Sequence, residues 1–275
     1  TAIRCDGGCS LTSCTVSGFT LEFTPDMDPY VLSQYSYVVE CGPSSSLRDC
    51  VIEDNNGGIR CGERSSLTNC VIRTNKRTGL AVLGGSTVDH CPISGNGGDG
   101  VTCAGDPTFE ACVVTANGGA GVLCGERALP TLRGCTIEKN EGGGVACASL
   151  SSPFLDTCAV VANRGDAGGG LLCTDMSAPH LTGCTIAGNY AFLGGGVYCQ
   201  GAAMPYITRT EIRGNAAVFG GGLYFESSNA ELDKLTILGN WAERDGGGIY
   251  CLDSAPLLSN FVLAGNAARF LGGGV

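Results

Sequence analysis

The sequence predicts an all-β fold, a single-stranded parallel β-helix solenoid of about 11 coils with 20 to 26 residues each. Three observations predict it: Asn recurs at a nearly constant spacing, a cluster of Gly follows most of these Asn, and Cys or an apolar residue stands at two fixed positions around them. A repeat of this length, with two or three short strands and tight turns, is typical of one coil. Stacked coils pair each strand with its own copy above and below.

The recurring Asn anchors the repeat. It stands at Asn55, Asn75, Asn96, Asn117, Asn140, Asn163, Asn189, Asn215, Asn240 and Asn266, and Phe19 takes its place in an earlier copy. An inward Asn at a bend can donate and accept hydrogen bonds with the backbone and with the Asn of the next coil. We therefore expect a structural Asn ladder.

The short segments around the anchor read as strands. Val197-Tyr198-Cys199 alternates with period two, and no segment of ten or more residues has the helical period. The Gly runs indicate positions with φ > 0 or a close backbone approach. A leucine-rich repeat is the rival, but it needs a helix or an extended segment after the Asn, where the Gly run stands here.

The 18 Cys fall almost wholly into two predicted ladders. One follows the Gly run, with Leu83 and Phe225 filling two gaps. The other precedes the Ile or Val before the Asn and continues as Thr210, Leu235 and Phe261, and only Cys9 lies outside both. Replacement by Leu and Phe indicates apolar interior positions.

Disulfides remain open at this point. Two schemes fit equally well, pairing within one coil, as in Cys61 with Cys70, or with the next coil, as in Cys184 with Cys199. The candidate core or disulfide residues are Cys41, Cys50, Cys61, Cys70, Cys103, Cys112, Cys124, Cys135, Cys147, Cys158, Cys173 and Cys184. No metal site is predicted, because there is no Cys-x-x-Cys pair and the two His occupy different repeat positions.

Composition limits the partners. A net charge of −10 argues against a nucleic-acid partner, and no apolar run is long enough for a predicted membrane span. The sequence indicates no cofactor. Residues 1–275 are expected to form one domain with an insertion at about 20–37, and the absence of polar end coils predicts a segment of a longer protein.

The candidate contact face lies in the last coils. Tyr198, Tyr224 and Tyr250 share one predicted outward position, and the segments after the Asn are apolar, with Tyr190, Phe192, Phe219, Trp241 and Phe270. Such a face suits sugar stacking or protein contact. Alternatively, the tyrosines pack on the sheet and the loop residues cover one another. The insertion is a candidate capping flap or recognition loop, whose Asp26 and Asp28 are too few for a Ca²⁺ site.

The repeat motifs resemble a known family. Ile72 to Asn75 and Leu263 to Asn266 show Ile/Leu-x-x-Asn, and Gly57-Gly58-Ile59 and Gly247-Gly248-Ile249 show the Gly pair. These motifs resemble the repeats of chlamydial polymorphic outer membrane proteins, although the family's aromatic residue at the Ile position is mostly aliphatic here. The resemblance implies a right-handed β-helix of the pectin-lyase-like kind on a secreted or surface-displayed protein. Right-handed connections are also the general rule for parallel strands.

We therefore expect a non-enzymatic, extracellular or cell-surface structural or adhesive β-helix, as a single protein or a unit of a larger assembly or filament. Its expected partners are other protein chains or a surface polysaccharide. The alternative is a β-helix that binds or degrades polysaccharide, as a lyase or hydrolase does. Such an enzyme needs clustered carboxylates, whereas Glu53, Glu138 and Glu211 fall on non-adjacent coils.

Overall fold

The protein is a right-handed parallel β-helix with three long sheets. The computed structural model describes residues 3–19 and 37–275. Each long sheet has eleven strands, and each coil adds one strand to the first, second and third sheet in turn. No helix occurs in the described residues. The predicted fold class is confirmed. Residues 20–36 of the predicted insertion, with Asp26 and Asp28, lie outside the described residues.

Nearly all strands are three residues long, because a tight turn follows each of them. The first sheet consists of Ile3–Cys5, Val39–Cys41, Ile59–Cys61, Leu80–Val82, Val101–Cys103, Val122–Cys124, Val145–Cys147, Leu171–Cys173, Val197–Cys199, Leu223–Glu226 and Ile249–Leu252. The second sheet consists of Ser10–Thr12, Ser46–Arg48, Ser66–Thr68, Thr87–Asp89, Thr108–Glu110, Thr131–Arg133, Phe154–Asp156, His180–Thr182, Tyr206–Thr208, Glu231–Asp233 and Leu257–Ser259. The third sheet consists of Thr15–Ser17, Val51–Glu53, Val71–Arg73, Pro92–Ser94, Val113–Thr115, Thr136–Glu138, Ala159–Val161, Thr185–Ala187, Glu211–Arg213, Thr236–Leu238 and Val262–Ala264.

A fourth, short sheet forms in the last four coils, which the sequence did not predict. Its strands are Tyr190–Leu193, Ala216–Phe219, Trp241–Ala242 and Ala267–Ala268. The segment after the Asn is long enough there to pair with its copy in the next coil. Small buried residues face inward, with Ala191, Ala217 and Ala242 at 0%, 1% and 0% exposure.

Left-handed residues bend the chain on both sides of each strand of the third sheet. Asn69 has φ = 53° before Cys70, and Thr74 has φ = 53° before Asn75. Each bend turns the residue that follows it into the interior, so that Cys70 and Asn75 are both buried. Asn and Gly are favoured in this conformation, whereas Thr adopts it less readily. Two bends per strand therefore place both the Cys and the Asn of each coil.

The Asn side chains form a continuous hydrogen-bonded ladder. Asn140 Oδ1 accepts from the backbone N–H and from Nδ2 of Asn117, at 3.0 and 2.9 Å. Asn140 Nδ2 donates to Asn163 Oδ1 at 3.0 Å and to the Val114 carbonyl at 3.1 Å. Every donor and acceptor of this buried carboxamide is thus used. The same pattern runs from Asn75 to Asn240.

We predict that Asn140→Ala strongly destabilises the middle of the solenoid. The change removes the acceptor of two Asn117 donors and the donor to Asn163 and Val114. Unpaired buried polar groups cost about 1–3 kcal/mol each, so we expect a loss of about 3 kcal/mol or more. Chemical denaturation followed by circular dichroism measures the effect. Glu110→Ala, at an exposed position nearby, is the control and should leave the midpoint unchanged. Equal midpoints for the two variants would refute the role of the ladder.

The two Cys ladders are present, with one correction. Strand register places Val82, and not Leu83, in the column between Cys61 and Cys103. The residue facing outward in that coil is therefore Ala81. Leu80 aligns with Ile59, so the predicted alignment was one residue out in this coil. The gap filled by Phe225 lies where the sequence placed it, in register with Cys199 and Cys251.

All 18 Cys are free in this structure. The candidate core residues from Cys41 to Cys184 are buried, and only Cys5, Cys9, Cys14 and Cys251 are half-exposed or exposed. Sulfur contacts run along a column, between adjacent coils. The backbone N–H of Cys70, for example, donates to Cys91 Sγ at 3.3 Å. Neither of the two disulfide schemes is formed, because in-register stacking places each Cys beside the Cys at the same position of the adjacent coil.

We predict that Cys103, Cys124, Cys147 and Cys173, which are buried in the column of the first sheet, are unreactive thiols. Burial raises the pKa of Cys103 and Cys173 well above the ordinary value, and the thiolate is the reactive form. In the native protein, a thiol reagent should label the exposed Cys251 and the half-exposed Cys5 and Cys14 before these four thiols. In denaturant, it should count 18 thiols with or without prior reduction. A higher count after reduction would show disulfides and contradict this prediction.

Candidate functional site

The three tyrosines of the predicted contact face do stack on adjacent coils. Tyr198, Tyr224 and Tyr250 are in register. Their ring centroids are 5.1 Å and 4.8 Å apart in edge-to-face packing. However, only 3% of Tyr198 and 6% of Tyr224 is exposed. The expectation of a solvent-facing tyrosine stripe was wrong for these two residues.

The chain that follows each buried Asn covers the tyrosines. Gly194, Gly220 and Gly246 have φ between 60° and 69°. A Cβ at these glycines would lie 2.7, 2.6 and 2.5 Å from the Cβ of Tyr198, Tyr224 and Tyr250 respectively. The absence of a side chain therefore lets the backbone cross directly beside each tyrosine. The sequence signal was the Gly that begins each run in these coils.

The buried tyrosines keep polar partners. The Tyr198 hydroxyl donates to a carboxylate oxygen of Glu226, and Gln200 Oε1 lies 3.0 Å from the same hydroxyl. Burial, together with the nearby charge of Glu226, raises the pKa of Tyr224 to about 12. Both effects favour the protonated phenol. The stack is therefore a packed structural element in which the Tyr198 hydroxyl is hydrogen-bonded.

We predict that Tyr224 ionises only near pH 12 in the folded chain. Unfolding returns its pKa to about 10, so the folded state holds the extra proton between these values. The contribution of Tyr224 to stability is full below pH 10 and is lost as pH rises towards 12. The difference in tyrosinate absorbance between the wild type and Tyr224→Phe isolates this group. A step near pH 10 in protein that circular dichroism shows to be folded would contradict the prediction.

The exposed part of the predicted face lies on the fourth sheet and on the segment that follows its last strand. Tyr190, Phe192, Trp241 and Phe270 are 42%, 54%, 45% and 64% exposed, and Phe219 is half-buried beside Phe192. We call this surface, together with its arginines Arg164, Arg244 and Arg269, the aromatic–arginine face.

Arginines lie over the rings of this face. The Arg164 guanidinium is 4.9 Å from the Tyr190 ring centroid, and that of Arg244 is 5.3 Å from the Phe219 centroid. Arg269 approaches Phe270 at 5.7 Å. At these distances the ring quadrupole attracts the guanidinium to the ring face. The sequence showed the rings, but it did not show these arginines as part of the face.

The acids considered for an enzyme are not clustered. Glu53 pairs with Arg73 at 2.6 Å, Glu138 with Lys139 at 3.5 Å, and Glu211 with Arg213 at 3.1 Å. Each carboxylate therefore has its own basic partner on the outside of the third sheet. This arrangement satisfies surface charge and leaves no carboxylate pair among these three.

A groove near the first coils gathers charges that the sequence did not bring together. Arg4, Glu40 and Arg60 are in register on adjacent strands of the first sheet. They line a groove of about 420 Å³ with Glu63 and Asp6. Residues this far apart in sequence meet only because coils stack. Alternating charges across neighbouring strands stabilise a sheet surface, and this is what the arrangement does.

In residues 3–19 and 37–275, no group of three or more His, Cys, Asp or Glu side chains is placed to hold a metal ion. The same part of the chain contains no helix long and apolar enough to cross a membrane.

Comparison with known families agrees with the coil geometry. The family described as right-handed β-helix region matches residues 1–164 and 86–217. The chain therefore belongs to the right-handed β-helix family. Comparison with curated proteins and with solved structures found no match.

Proposed function

We propose that the protein is a non-enzymatic structural or adhesive β-helix, at the cell surface or outside the cell, that contacts other protein chains through the aromatic–arginine face. The observation that carries the proposal is the set of exposed rings on the fourth sheet, with arginines packed over them. The extracellular location rests on the resemblance of the repeats to chlamydial polymorphic outer membrane proteins.

The composition of this face suits protein contact. Aromatic residues and Arg are enriched at interface hot spots, because they combine large apolar area with directed polar groups. The rings here belong to a regular sheet, so they lose little conformational freedom on binding. A face built on rigid, repeated strands can therefore contact a partner without reordering.

A second copy of the chain is the partner that charge favours. The chain carries 26 acidic and 16 basic residues, with a net charge of −10. Arg164, Arg244 and Arg269 can pair with carboxylates elsewhere on another copy, while Asp166, Glu243 and Asp245 on the same segments lower the net positive charge of the face. Such a contact joins different surfaces, so it can extend into a filament.

An enzymatic alternative receives no support from the acids named above, since each pairs with a base. The alternative also included polysaccharide binding without cleavage, and that possibility concerns a different surface, on the second sheet.

We predict that the protein self-associates and that Phe192→Ser combined with Trp241→Ser abolishes the association. The double change removes two of the four exposed rings, and so much of the apolar part of the contact, and leaves the core intact. Sedimentation velocity over a range of concentrations measures the oligomer. Raised salt should also weaken the association, because the arginine contacts are screened.

The matched control is Leu129→Ser, which replaces a residue of similar exposure, 53%, outside this face. It should associate like the wild type. A wild-type protein that stays monomeric at all concentrations, or equal association by the double variant and the control, would contradict the proposal.

A further inference from the structure

A second row of rings lies on the outer side of the second sheet. Phe154, His180 and Tyr206 occupy the same strand position on three consecutive coils. The ring centroids of Phe154 and His180 are 5.0 Å apart, and those of His180 and Tyr206 are 4.7 Å apart, with interplanar angles of 73° and 71°. All three rings are half-exposed. Edge-to-face packing therefore holds a defined row of rings against solvent.

This row follows a column of hydroxyl groups at the same strand position. The same position carries Ser or Thr in the preceding coils, at Ser10, Ser46, Ser66, Thr87, Thr108 and Thr131. Six coils thus fold with a small polar residue here, so the fold itself does not require a ring. In a repeat protein, outward positions that depart from the pattern are where binding sites are expected.

The rings form one side of a cleft of about 290 Å³. The remaining lining residues are polar or charged: Thr182, Thr208, Arg209, Asp233 and Lys234. Ligand pockets span about 300–1,000 Å³, so the volume of this cleft is just below that range. It suits one ring-sized group better than a large cofactor.

The carboxylate in the cleft is held in place by its neighbours. Asp233 Oδ1 accepts from Ser259 Oγ at 2.8 Å and from Asn260 Nδ2 at 2.7 Å. These hydrogen bonds hold the pKa of Asp233 below its ordinary value. Its other oxygen, Oδ2, lies 3.5 Å from Lys234 Nζ. Asp233 is thus an oriented, ionised acceptor.

The polar groups favour a neutral ligand with many hydroxyls. Arg209 and Lys234 are exposed donors beside the Asp233 acceptor. Asp156 and Glu231, in register with Thr182 and Tyr206, balance the two cations. The cleft therefore offers donors and acceptors side by side without a large excess of one charge. A pyranose ring has an apolar C–H face for the rings and hydroxyls for these groups.

We propose that this cleft binds a neutral hexopyranose unit of a polysaccharide, with the rings of His180 and Tyr206 against the sugar and Asp233 and Arg209 on its hydroxyls. The site is on a different sheet from the aromatic–arginine face, and it holds whether or not the protein self-associates. It is a binding site, and no bond is made or broken there.

The two His of the chain provide a direct test. His180 lies in the cleft, whereas His90 lies on another part of the surface beside Asp89, at 2.6 Å. The imidazole signals of ¹³C-labelled protein are followed by NMR during titration with hexaoses of glucose, mannose and galactose, and with oligogalacturonate. At least one neutral hexaose should shift the His180 signal to saturation and leave that of His90 unchanged.

Two variants connect the shift to the cleft. Tyr206→Ser places in this coil the residue that earlier coils carry, so it should fold, and it should weaken binding about tenfold or more. Arg209→Asn keeps the left-handed turn, since Asn69 and Asn260 occupy equivalent bends, and it should also weaken binding. Phe192→Ser, on the aromatic–arginine face, is the control and should bind like the wild type.

Three outcomes would overturn this inference. In the first, no neutral hexaose shifts His180. In the second, only oligogalacturonate does, which would define an anion site. In the third, Tyr206→Ser and Arg209→Asn both bind as tightly as the wild type. Because the sedimentation experiment uses different variants, self-association and sugar binding can fail independently of each other.

Discussion

The buried Asn ladder is the interaction on which the rest of the structure depends. A carboxamide in the interior must pair two N–H donors and an acceptor oxygen, and the neighbouring coils supply these partners at 2.9–3.1 Å. The pattern closes only if successive coils stack in register. When these hydrogen bonds form, the strands of all three sheets are in register as well. Residues at the same position of successive coils then lie above one another. The Cys columns, the paired tyrosines and the row of rings on the second sheet are consequences of that register.

The Gly that begins each Gly run in the last coils has a different effect, because it determines which side chains are exposed to solvent. These glycines allow the backbone to pass directly beside Tyr198 and Tyr224. The fourth sheet can therefore lie over an inner layer of rings. The rings on the covering segment, including Phe192 and Trp241, then become the outer surface. A second layer of aromatic residues is rigid because it rests on the first. Arginines packed over these rings add directed charge to an otherwise apolar face.

Two surfaces with separate chemistry therefore share one scaffold. The aromatic–arginine face is open, combines exposed rings with arginines, and is suited to another protein surface. The cleft beside Tyr206 is small and mixed in charge, and it is suited to hydroxyl groups. Both arise where the repeat departs from its own pattern, at outward positions that the core does not constrain. The core contributes spacing and rigidity to each surface, since neighbouring side chains on adjacent coils are held by the strand ladders.

The sequence alone determined the coil repeat, the strand character of its short segments, the inward Asn and most of both Cys columns, because these depend on local pattern repeated many times. It misplaced one residue at Val82, where no Cys marks the column. Tertiary structure decided the rest. Burial of Tyr198 depends on the path of the nearby segment Tyr190–Leu193, which pairs with its copy in the next coil. The meeting of Phe154, His180 and Tyr206 depends on residues about 26 apart along the chain. The outward positions show no hydrophobic periodicity from which their neighbours could be predicted. Only the stacked coils therefore show which side chains share a surface.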